Sequence, residues 1–306
     1  MTISTVGNEA RLQTWREALT EGTILRIFEV HSPLAAIIAE HARGKGPERR
    51  EFHGFWSSSL TDSALRGLPD TELVATQQRL SWIEHIFAVT TLPLIMDGDT
   101  GGRAEHFEYA VRAMERQGVS GVVIEDKCGE KRNSLLPGDN LHVLAPVDEF
   151  CTKISRGKAA QSSPHFMIIA RLEGLIVGLP RQEILDRAAA YLAAGADGLV
   201  VHSRSADRSM VLDLARELRT RHPYTPLVAI PTAYPVVTEH ELHEAGFNVI
   251  IYANHMLRAA TLAMEEVSHL ILDHGRALEA EEVCIDTAKI LTMSEDKRPI
   301  VRSHRI

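Results

Sequence analysis

Cysteines and long apolar runs are both scarce in this sequence of 306 residues. The three cysteines, Cys128, Cys151 and Cys284, are widely spaced and form no Cys-x-x-Cys pair, which argues against a disulfide framework and against a structural zinc site. No apolar run approaches the ~20 residues needed to cross a bilayer, and the polar N-terminus lacks the apolar core of a signal peptide. We therefore expect a cytoplasmic protein with no membrane partner.

Positive charge is also scarce, because 41 acidic residues outnumber 33 basic ones and give a formal net charge of -8. A nucleic-acid-binding protein needs a basic face, so this balance argues against that class. An anionic small-molecule substrate stays compatible with it, provided that positive charge is concentrated where the substrate binds. The apolar share of 44% is that of an ordinary globular protein with a hydrophobic core.

What the sequence does contain is one repeated design: a helix end, a glycine, a short turn, an apolar strand and a polar strand end. It occurs at 114–126, 192–203 and 242–254. Further apolar strands with polar ends are predicted at 24–31, 52–59, 93–99, 166–173 and 226–232. Helical patterns lie between strands at 71–88, 104–117, 181–194 and 207–220. Eight alternating units predict an α/β fold with a parallel sheet, and at this length a closed (β/α)8 TIM-type barrel rather than an open doubly wound sheet.

The remaining segments add no second domain to this prediction. Residues 43–51 and 155–165 are predicted to be loops, the second beginning as a fraying helix end, and neither is long enough for an interdomain linker. Residues 255–293 follow the eighth strand and are strongly helical. We predict a single barrel domain over residues 1–306, with 255–293 as a C-terminal helical extension and 294–306 as a solvated tail.

Charged side chains follow the predicted strands, at the end of a barrel where function collects. Asp97 and Asp99 end one strand and Glu125 ends the next, so these carboxylates are expected to converge. Converging carboxylates repel each other and need a cation, and all-oxygen ligands suit Mg²⁺ or Mn²⁺. Arg171 and His202, one and two strands further round, could hold an anionic group opposite the metal.

Structural interpretations of the same residues stay open at this point. Arg171 could simply pair with Glu173, and His202 could be a satisfied core histidine. Asp70 precedes a helical pattern in the segment Pro-Asp-Thr-Glu, so residue chemistry alone predicts a helix N-cap. The serines at 57–59 could serve packing, or their hydroxyl and N–H groups could bind a carboxylate.

Seven segments, in order along the chain, resemble the phosphoenolpyruvate mutase branch of the isocitrate lyase/phosphoenolpyruvate mutase superfamily. The resemblance covers nearly the whole chain, from about residue 20 to about residue 290. The segments are GFWSSSLTDSALRGLPD, LIMDGDTGG, VVIEDKCGEKRNSL, MIIARLEGLIVG, VVHSRSAD, AIPTAYP and VIIYANHMLRAA. The family implies a (β/α)8 barrel whose last helix is exchanged with a neighbouring subunit, in a homodimer or homotetramer.

The resemblance also implies roles for particular residues. Mg²⁺ would be held by Asp97, with Asp99 and Glu125 acting largely through water. The pyruvyl part of the substrate would rest on Trp56, Ser58, Ser59 and Leu60. The phosphoryl group would be held by Asn133, Arg171 and His202. Asp70 matches an aspartate that the family needs for activity, which overrides the N-cap prediction. Lys131 matches a lysine of a gating loop that also carries Ser134.

The gating loop separates the branches of the superfamily. Carbon–carbon lyases resemble Lys-Lys-Cys-Gly-His there, whereas this chain has Lys131-Arg132-Asn133-Ser134, with Asn133 in the place of the cysteine. Cys128 lies five residues earlier and is interpreted as an incidental thiol. Phosphonopyruvate hydrolases lack this asparagine, so the resemblance favours interconversion of phosphoenolpyruvate and phosphonopyruvate. Hydrolysis of phosphonopyruvate stays the alternative, because the segment AIPTAYP resembles that of the hydrolases. A carbon–carbon lyase and a catalytically silent binding subunit are both disfavoured. The segment DTGGRAEHF, which begins at Asp99, is one residue shorter than the corresponding segment of many family members.

Overall fold

A closed barrel of eight parallel strands forms the centre of the protein. The computed structural model describes residues 6–20, 22–138 and 142–293. The barrel strands are β1 Leu25–Glu29, β2 Gly54–Ser57, β3 Leu94–Asp97, β4 Gly121–Glu125, β7 Met167–Leu172, β8 Gly198–Val201, β9 Leu227–Ala229 and β10 Val249–Tyr252. Their order around the barrel is β1-β10-β9-β8-β7-β4-β3-β2. This closed barrel confirms the predicted (β/α)8 fold. Most of its strands are apolar on both faces, as expected for a parallel sheet with helices outside it.

Two very short strands lie outside the barrel, in the connection that follows β4. They are β5 Lys127–Cys128 and β6 Val143–Leu144, and they pair antiparallel. The segment between them carries the polar residues of the predicted gating loop. This hairpin therefore holds both ends of that loop close to the mouth of the barrel.

Helices surround the barrel and connect its strands. They are α1 Asn8–Thr20, α2 Pro33–His41, α3 Ser59–Ala64, α4 Thr76–Phe87, α5 Ala104–Gln117, α6 Val147–Ala160, α7 Arg181–Ala193, α8 Ser209–Arg221, α9 Glu239–Glu244, α10 His255–His274 and α11 Thr287–Met293. A 3-10 turn covers Ala280–Glu282. Of the described helices, none is long and apolar enough to cross a membrane.

The prediction of a loop at 155–165 is wrong for its first half, because α6 continues to Ala160. Phe150 and Ile154 form the buried face of α6, and Gly157 allows α5 to approach closely. A Cβ atom at Gly157 would lie 2.5 Å from the ring of Phe107. Charged residues and this glycine hide the apolar stripe in the sequence. By contrast, the helix predicted at 104–117 has those same bounds in the structure.

Helix α1, which the strand-helix pattern did not predict, closes the N-terminal end of the barrel. Trp15 is buried among the inward-facing strand residues, and its Nε1 lies 2.9 Å from Met167 Sδ. Arg11 donates to the carbonyl oxygens of Thr90 and Leu92. Because this end is plugged, a ligand must enter the barrel from the C-terminal ends of the strands.

The C-terminal helical segment differs from the other helices in its packing. Helix α10 has twenty residues and none of them is buried. At 1.5 Å per residue it is about 30 Å long. It exposes apolar side chains such as Leu262, Met264 and Leu272, and α11 exposes Leu291. The predicted tail, residues 294–306, lies outside the described residues.

Candidate active site

One cavity at the C-terminal ends of the strands brings together every residue that the sequence singled out for the site. Those residues are Trp56, Ser58, Ser59, Leu60, Asp70, Asp97, Asp99, Glu125, Lys131, Asn133, Ser134, Arg171 and His202. Five further residues line the same cavity: Leu135, Ile230, Thr232, Ala253 and Asn254. The predicted residues come from β2, β3, β4, β7 and β8 or from the connections after them. Their meeting follows from the closed barrel, which turns all parallel strands toward one mouth.

Three carboxylates lie side by side after β3 and β4. Asp99 has a left-handed backbone with φ of 53°, which aspartate tolerates better than most residues. This turn allows its N–H to donate to Asp97 Oδ1 at 3.1 Å, while its carbonyl oxygen accepts the Glu125 N–H at 2.8 Å. Burial raises the pKa of Asp99 to about 6, and Asp97 adds to the effect. Burial also raises the pKa of Glu125 to about 8, against the opposing effect of Arg171.

The oxygen donors fit a Mg²⁺ ion that keeps several of its waters. Asp99 Oδ1 and Glu125 Oε1 are buried, and the Nζ atoms of Lys131 and Lys127 lie 2.7 and 3.2 Å from them. A cation and its waters bound here would favour the ionised form of both carboxylates. No group of three or more histidine, cysteine or acidic side chains among residues 6–20, 22–138 and 142–293 is arranged to hold a metal directly. One direct carboxylate ligand with further contacts through water is a common arrangement for Mg²⁺.

Arg79 of α4 is a residue of this region that the sequence did not reveal. It is buried, and its Nε donates to Asp62 Oδ2 at 2.6 Å. Its Nη2 donates to the carbonyl oxygen of Ser57 at 2.9 Å, and its Nη1 donates to that of Asp97. Arg79 thus joins the ends of β2 and β3. The sequence did contain one signal for the role of Arg79: it lies beside Leu80, on the apolar face of a predicted helix.

Arg171 and His202 form a cationic cradle on the neighbouring strands. Arg171 does pair with Glu173, at 2.5 Å between Nε and Oε1, as the structural interpretation proposed. Its Nη2 nevertheless extends to His202 Nδ1 at 2.9 Å and donates to Ser134 Oγ at 3.0 Å. Burial, together with Arg171, lowers the pKa of His202, so the imidazole is neutral at pH 7. Glu173 Oε1 lies 2.9 Å from His202 Nδ1, which leaves Nε2 available to a ligand.

Ser134 connects this cradle to the gating loop. Its Oγ accepts from Lys127 Nζ at 2.8 Å and donates to Glu173 Oε2 at 2.6 Å. Lys127 also donates to the carbonyl oxygen of Arg132 at 2.7 Å. Because Arg171 donates to the same Oγ, closure of the loop and the position of the guanidinium depend on each other.

Asp70 meets the loop from the other side of the cavity. The prediction that Asp70 caps a helix is wrong, because α4 begins at Thr76 and its N-cap residue is Ala75. Asp70 Oδ2 instead accepts from Asn133 Nδ2 at 2.7 Å, and Oδ1 pairs with Lys131 Nζ. These contacts between the gating loop and Asp70 hold the loop over the cavity.

Cys128 lies apart from this cavity. It lines a separate cleft, together with Thr152 and Lys153 of α6. Its partly buried thiol is a free cysteine. The structure thus separates this thiol from the carboxylates and the cationic cradle.

Comparison with known proteins adds sequence relatives of two activities. Residues 16–272 match the family model of phosphoenolpyruvate phosphomutase. A phosphonopyruvate hydrolase of Variovorax sp. (strain Pal2) is 34% identical over 288 residues, which cover 94% of this chain and 95% of the relative. A phosphoenolpyruvate phosphomutase of Streptomyces hygroscopicus is 38% identical over 248 residues, which cover 80% and 75%.

Solved structures resemble the fold over almost its whole length. The phosphoenolpyruvate phosphomutase from Streptomyces platensis subsp. rosaceus has a TM-score of 0.85 and 36% identity, covering 93% of this chain and 95% of that chain. A phosphonopyruvate hydrolase in complex with oxalate and Mg²⁺ has a TM-score of 0.81 and 33% identity, covering 94% and 96%. The two activities are therefore matched at similar identity.

Proposed function

This chain belongs to the phosphoenolpyruvate phosphomutase family, and on that basis we propose that it interconverts phosphoenolpyruvate and 3-phosphonopyruvate. The observation that supports this choice within the superfamily is Asn133, which lines the same cavity as Arg171 and His202. Its amide can donate to a phosphoryl oxygen but is too weak a base to activate water. An asparagine at this place therefore suits transfer without hydrolysis.

The carboxylates of Asp97, Asp99 and Glu125 would hold Mg²⁺, directly through Asp97 and through water at the other two. When bound, the ion supplies positive charge that stabilises the enolate of pyruvate. The pyruvyl part would rest beside Trp56 and on the hydroxyl and N–H groups of Ser58 and Ser59, next to Leu60. These contacts would hold the three-carbon unit while its phosphoryl group moves.

The phosphoryl group would lie between the cradle and the gating loop. During the reaction the bond from phosphorus to the enol oxygen breaks and a bond from phosphorus to C3 forms. The transferring group is metaphosphate-like, so the protein mainly positions it and neutralises its charge. Arg171 and Asn133 would donate to its oxygens, and His202 would face it with Nε2. The enolate then turns to present carbon instead of oxygen.

Water is the competing nucleophile, and the gating loop would exclude bulk solvent. Lys131 and Asn133 contact Asp70 on one side of the cavity, and Ser134 contacts Arg171 on the other. A loop held at both sides covers the reacting atoms. We propose that Asp70 and Lys131 act in the reaction by keeping this cover closed.

Hydrolysis of phosphonopyruvate is the second candidate function. The Variovorax relative covers 94% of this chain and the Streptomyces relative covers 80%. The segment AIPTAYP at 229–235 also resembles the hydrolases. Thr232, which belongs to that segment, lines the cavity. A carbon–carbon lyase is disfavoured because the loop has Asn133 where those enzymes have a cysteine.

³¹P NMR distinguishes the two candidates in one experiment. The protein is incubated with phosphonopyruvate and Mg²⁺, and the phosphorus products are followed. We expect the phosphoenolpyruvate signal to grow. Inorganic phosphate as the main product would replace the mutase proposal with the hydrolase.

We also propose that the protein works as a homodimer or homotetramer in a reducing compartment such as the cytoplasm. Helix α10 has no buried residue, and its exposed apolar side chains are of the kind that a second copy of this chain would cover. Exchange of this helix between neighbouring subunits would bury them. All three cysteines are free, which suits a reducing compartment.

A further inference from the structure

Asn254 occupies a helix N-cap position without acting as a cap. Asparagine at this position ordinarily accepts a hydrogen bond from an N–H of the first turn. Asn254 makes no such bond, although it immediately precedes α10. Glu29, which ends β1, takes that role, because its Oε2 accepts the Leu257 N–H at 3.2 Å. The side chain of Asn254 is therefore released from the helix that it begins.

The released side chain belongs to the wall of the active-site cavity. Asn254 is 5% exposed, and its Oδ1 is buried without a hydrogen-bond partner. Thr232 lines the same cavity, and its Oγ1 is also buried and without a partner. A buried polar atom without a hydrogen-bond partner has lost its hydration and gained no bond in exchange. Two such atoms on one cavity wall therefore indicate a bound ligand or water.

The barrel places these two oxygens beside the cationic cradle and opposite the carboxylates. Thr232 follows β9 and Asn254 follows β10, which are hydrogen-bonded neighbours. In the ring of eight strands, β10 lies opposite β4 and β9 lies opposite β3. His202 follows β8, the other neighbour of β9. A phosphoryl group held by His202 would therefore lie next to Thr232.

The chemistry of the two oxygens selects what can bind them. Asn254 Oδ1 can only accept a hydrogen bond. The carboxylate, enolate and phosphoryl oxygens of the proposed substrate are acceptors too. A substrate oxygen therefore cannot satisfy it. Water can donate to Asn254 Oδ1 and can donate to, or accept from, the Thr232 hydroxyl.

We propose that Thr232 and Asn254 hold one ordered water molecule beside the phosphoryl group, and that this water determines how often phosphonopyruvate is hydrolysed instead of rearranged. The proposal rests on the proposed function. In the hydrolytic step the water oxygen forms a new bond to phosphorus, and the P–C bond breaks. The electron pair of the P–C bond goes to the enolate of pyruvate, and the proton lost by water ends on C3. The products are pyruvate and inorganic phosphate.

A crystal structure of the protein with Mg²⁺ and oxalate tests the binding of water directly. We expect density for one water within about 2.6–3.2 Å of both Thr232 Oγ1 and Asn254 Oδ1. The double variant Thr232→Val/Asn254→Leu keeps the side-chain volumes and should lack this density. Wild-type protein without the water, or with Asn254 bonded directly to oxalate or to another side chain, overturns the proposal.

Product ratios in H₂¹⁸O test the consequence. In the double variant, we expect the ratio of ¹⁸O-labelled phosphate to phosphoenolpyruvate formed from phosphonopyruvate to fall by at least about fivefold, the effect of one lost hydrogen bond. Thr232→Ser keeps the hydroxyl and should keep the wild-type ratio, while circular dichroism verifies that each variant is folded. An unchanged ratio, or wild-type protein that releases no phosphate, refutes the link to hydrolysis.

The same data distinguish a failure of this proposal from a failure of the proposed function. Wild-type protein that makes phosphate as its main product would overturn the mutase, and a lower rate of phosphate release in the double variant would still support the water site. Wild-type mutase activity with no effect of the double variant would overturn the water site alone.

Discussion

Asp70 is the residue whose partners most change its interpretation. In the sequence it resembles a helix cap, yet in the structure it accepts from Asn133 and pairs with Lys131, which lie more than sixty positions away. Both partners belong to the gating loop. The loop is therefore closed by specific side-chain contacts, and single substitutions in it should act on the reaction more than on the fold.

Substitution of Asn133 tests the role of the loop. We expect Asn133→Ala to lower kcat by more than about tenfold, because it removes a donor to the phosphoryl group and the contact with Asp70. Steady-state kinetics measures the effect, and circular dichroism shows that the fold is intact. Arg132→Ala is the matched control, since that side chain is partly exposed and pairs with Glu130 of the same loop. Turnover close to wild type in Asn133→Ala would remove the loop from the mechanism.

Substitution of Asp97 tests the metal site. We expect Asp97→Ala to abolish the Mg²⁺-dependent activity and to eliminate the heat of Mg²⁺ binding in titration calorimetry, because the proposed direct carboxylate ligand is lost. Glu130→Ala removes an exposed carboxylate of the gating loop and should retain both signals. Mg²⁺ dependence that persists in Asp97→Ala would mean that the ion binds elsewhere.

At the scale of the elements, the start of α10 depends on a residue of the first strand. Glu29 is fully buried, accepts the Leu257 N–H, and lies 2.8 Å from His31 Nδ1. An ionised side chain at a helix N-terminus is favourable, because unpaired N–H groups point toward it. This arrangement fixes where α10 leaves the barrel and also releases Asn254 from capping.

Substitution of Glu29 tests this arrangement. We expect Glu29→Leu to lower the free energy of unfolding by about 1–3 kcal/mol, because a buried N–H and the His31 ring lose their acceptor. Urea unfolding monitored by circular dichroism measures the change. Glu29→Gln keeps one acceptor oxygen and should lose less. Equal stability of the two variants would show that Asn254 turns back and caps the helix when Glu29 is absent.

For the whole molecule, the exposed helix α10 predicts assembly with another copy of the chain. Met264 and Ile271 lie on one face of α10, seven residues apart, and both are exposed. We expect Met264→Glu/Ile271→Glu to shift the protein toward monomers in light scattering coupled to size exclusion, because two carboxylates would be buried at the contact. His269→Glu adds a carboxylate on the opposite face and should not. A double variant with the wild-type mass would contradict the exchanged helix.

The strands and the carboxylates were predictable because their signals are local. Most barrel strands are continuous apolar segments, and the polar residues Asp97, Glu125 and Arg171 follow such segments directly. The helix α6 was missed in part because Gly157 interrupts its apolar stripe, and Arg79 was missed because a charged residue inside an apolar face is ordinarily an exception. In both cases the reason is packing against another element, which periodicity does not show.

By itself, the sequence determined the barrel and the end of it that carries the charged residues, because burial on both strand faces and a polar residue at each strand end are written in consecutive positions. The family resemblance added the roles of individual residues. Only the tertiary structure decided that Asp70 meets the gating loop, that Arg79 joins two strand ends, and that Glu29 caps α10 in place of Asn254. Each of these depends on side chains 17 to 228 positions apart, whose meeting is fixed by closure of the barrel.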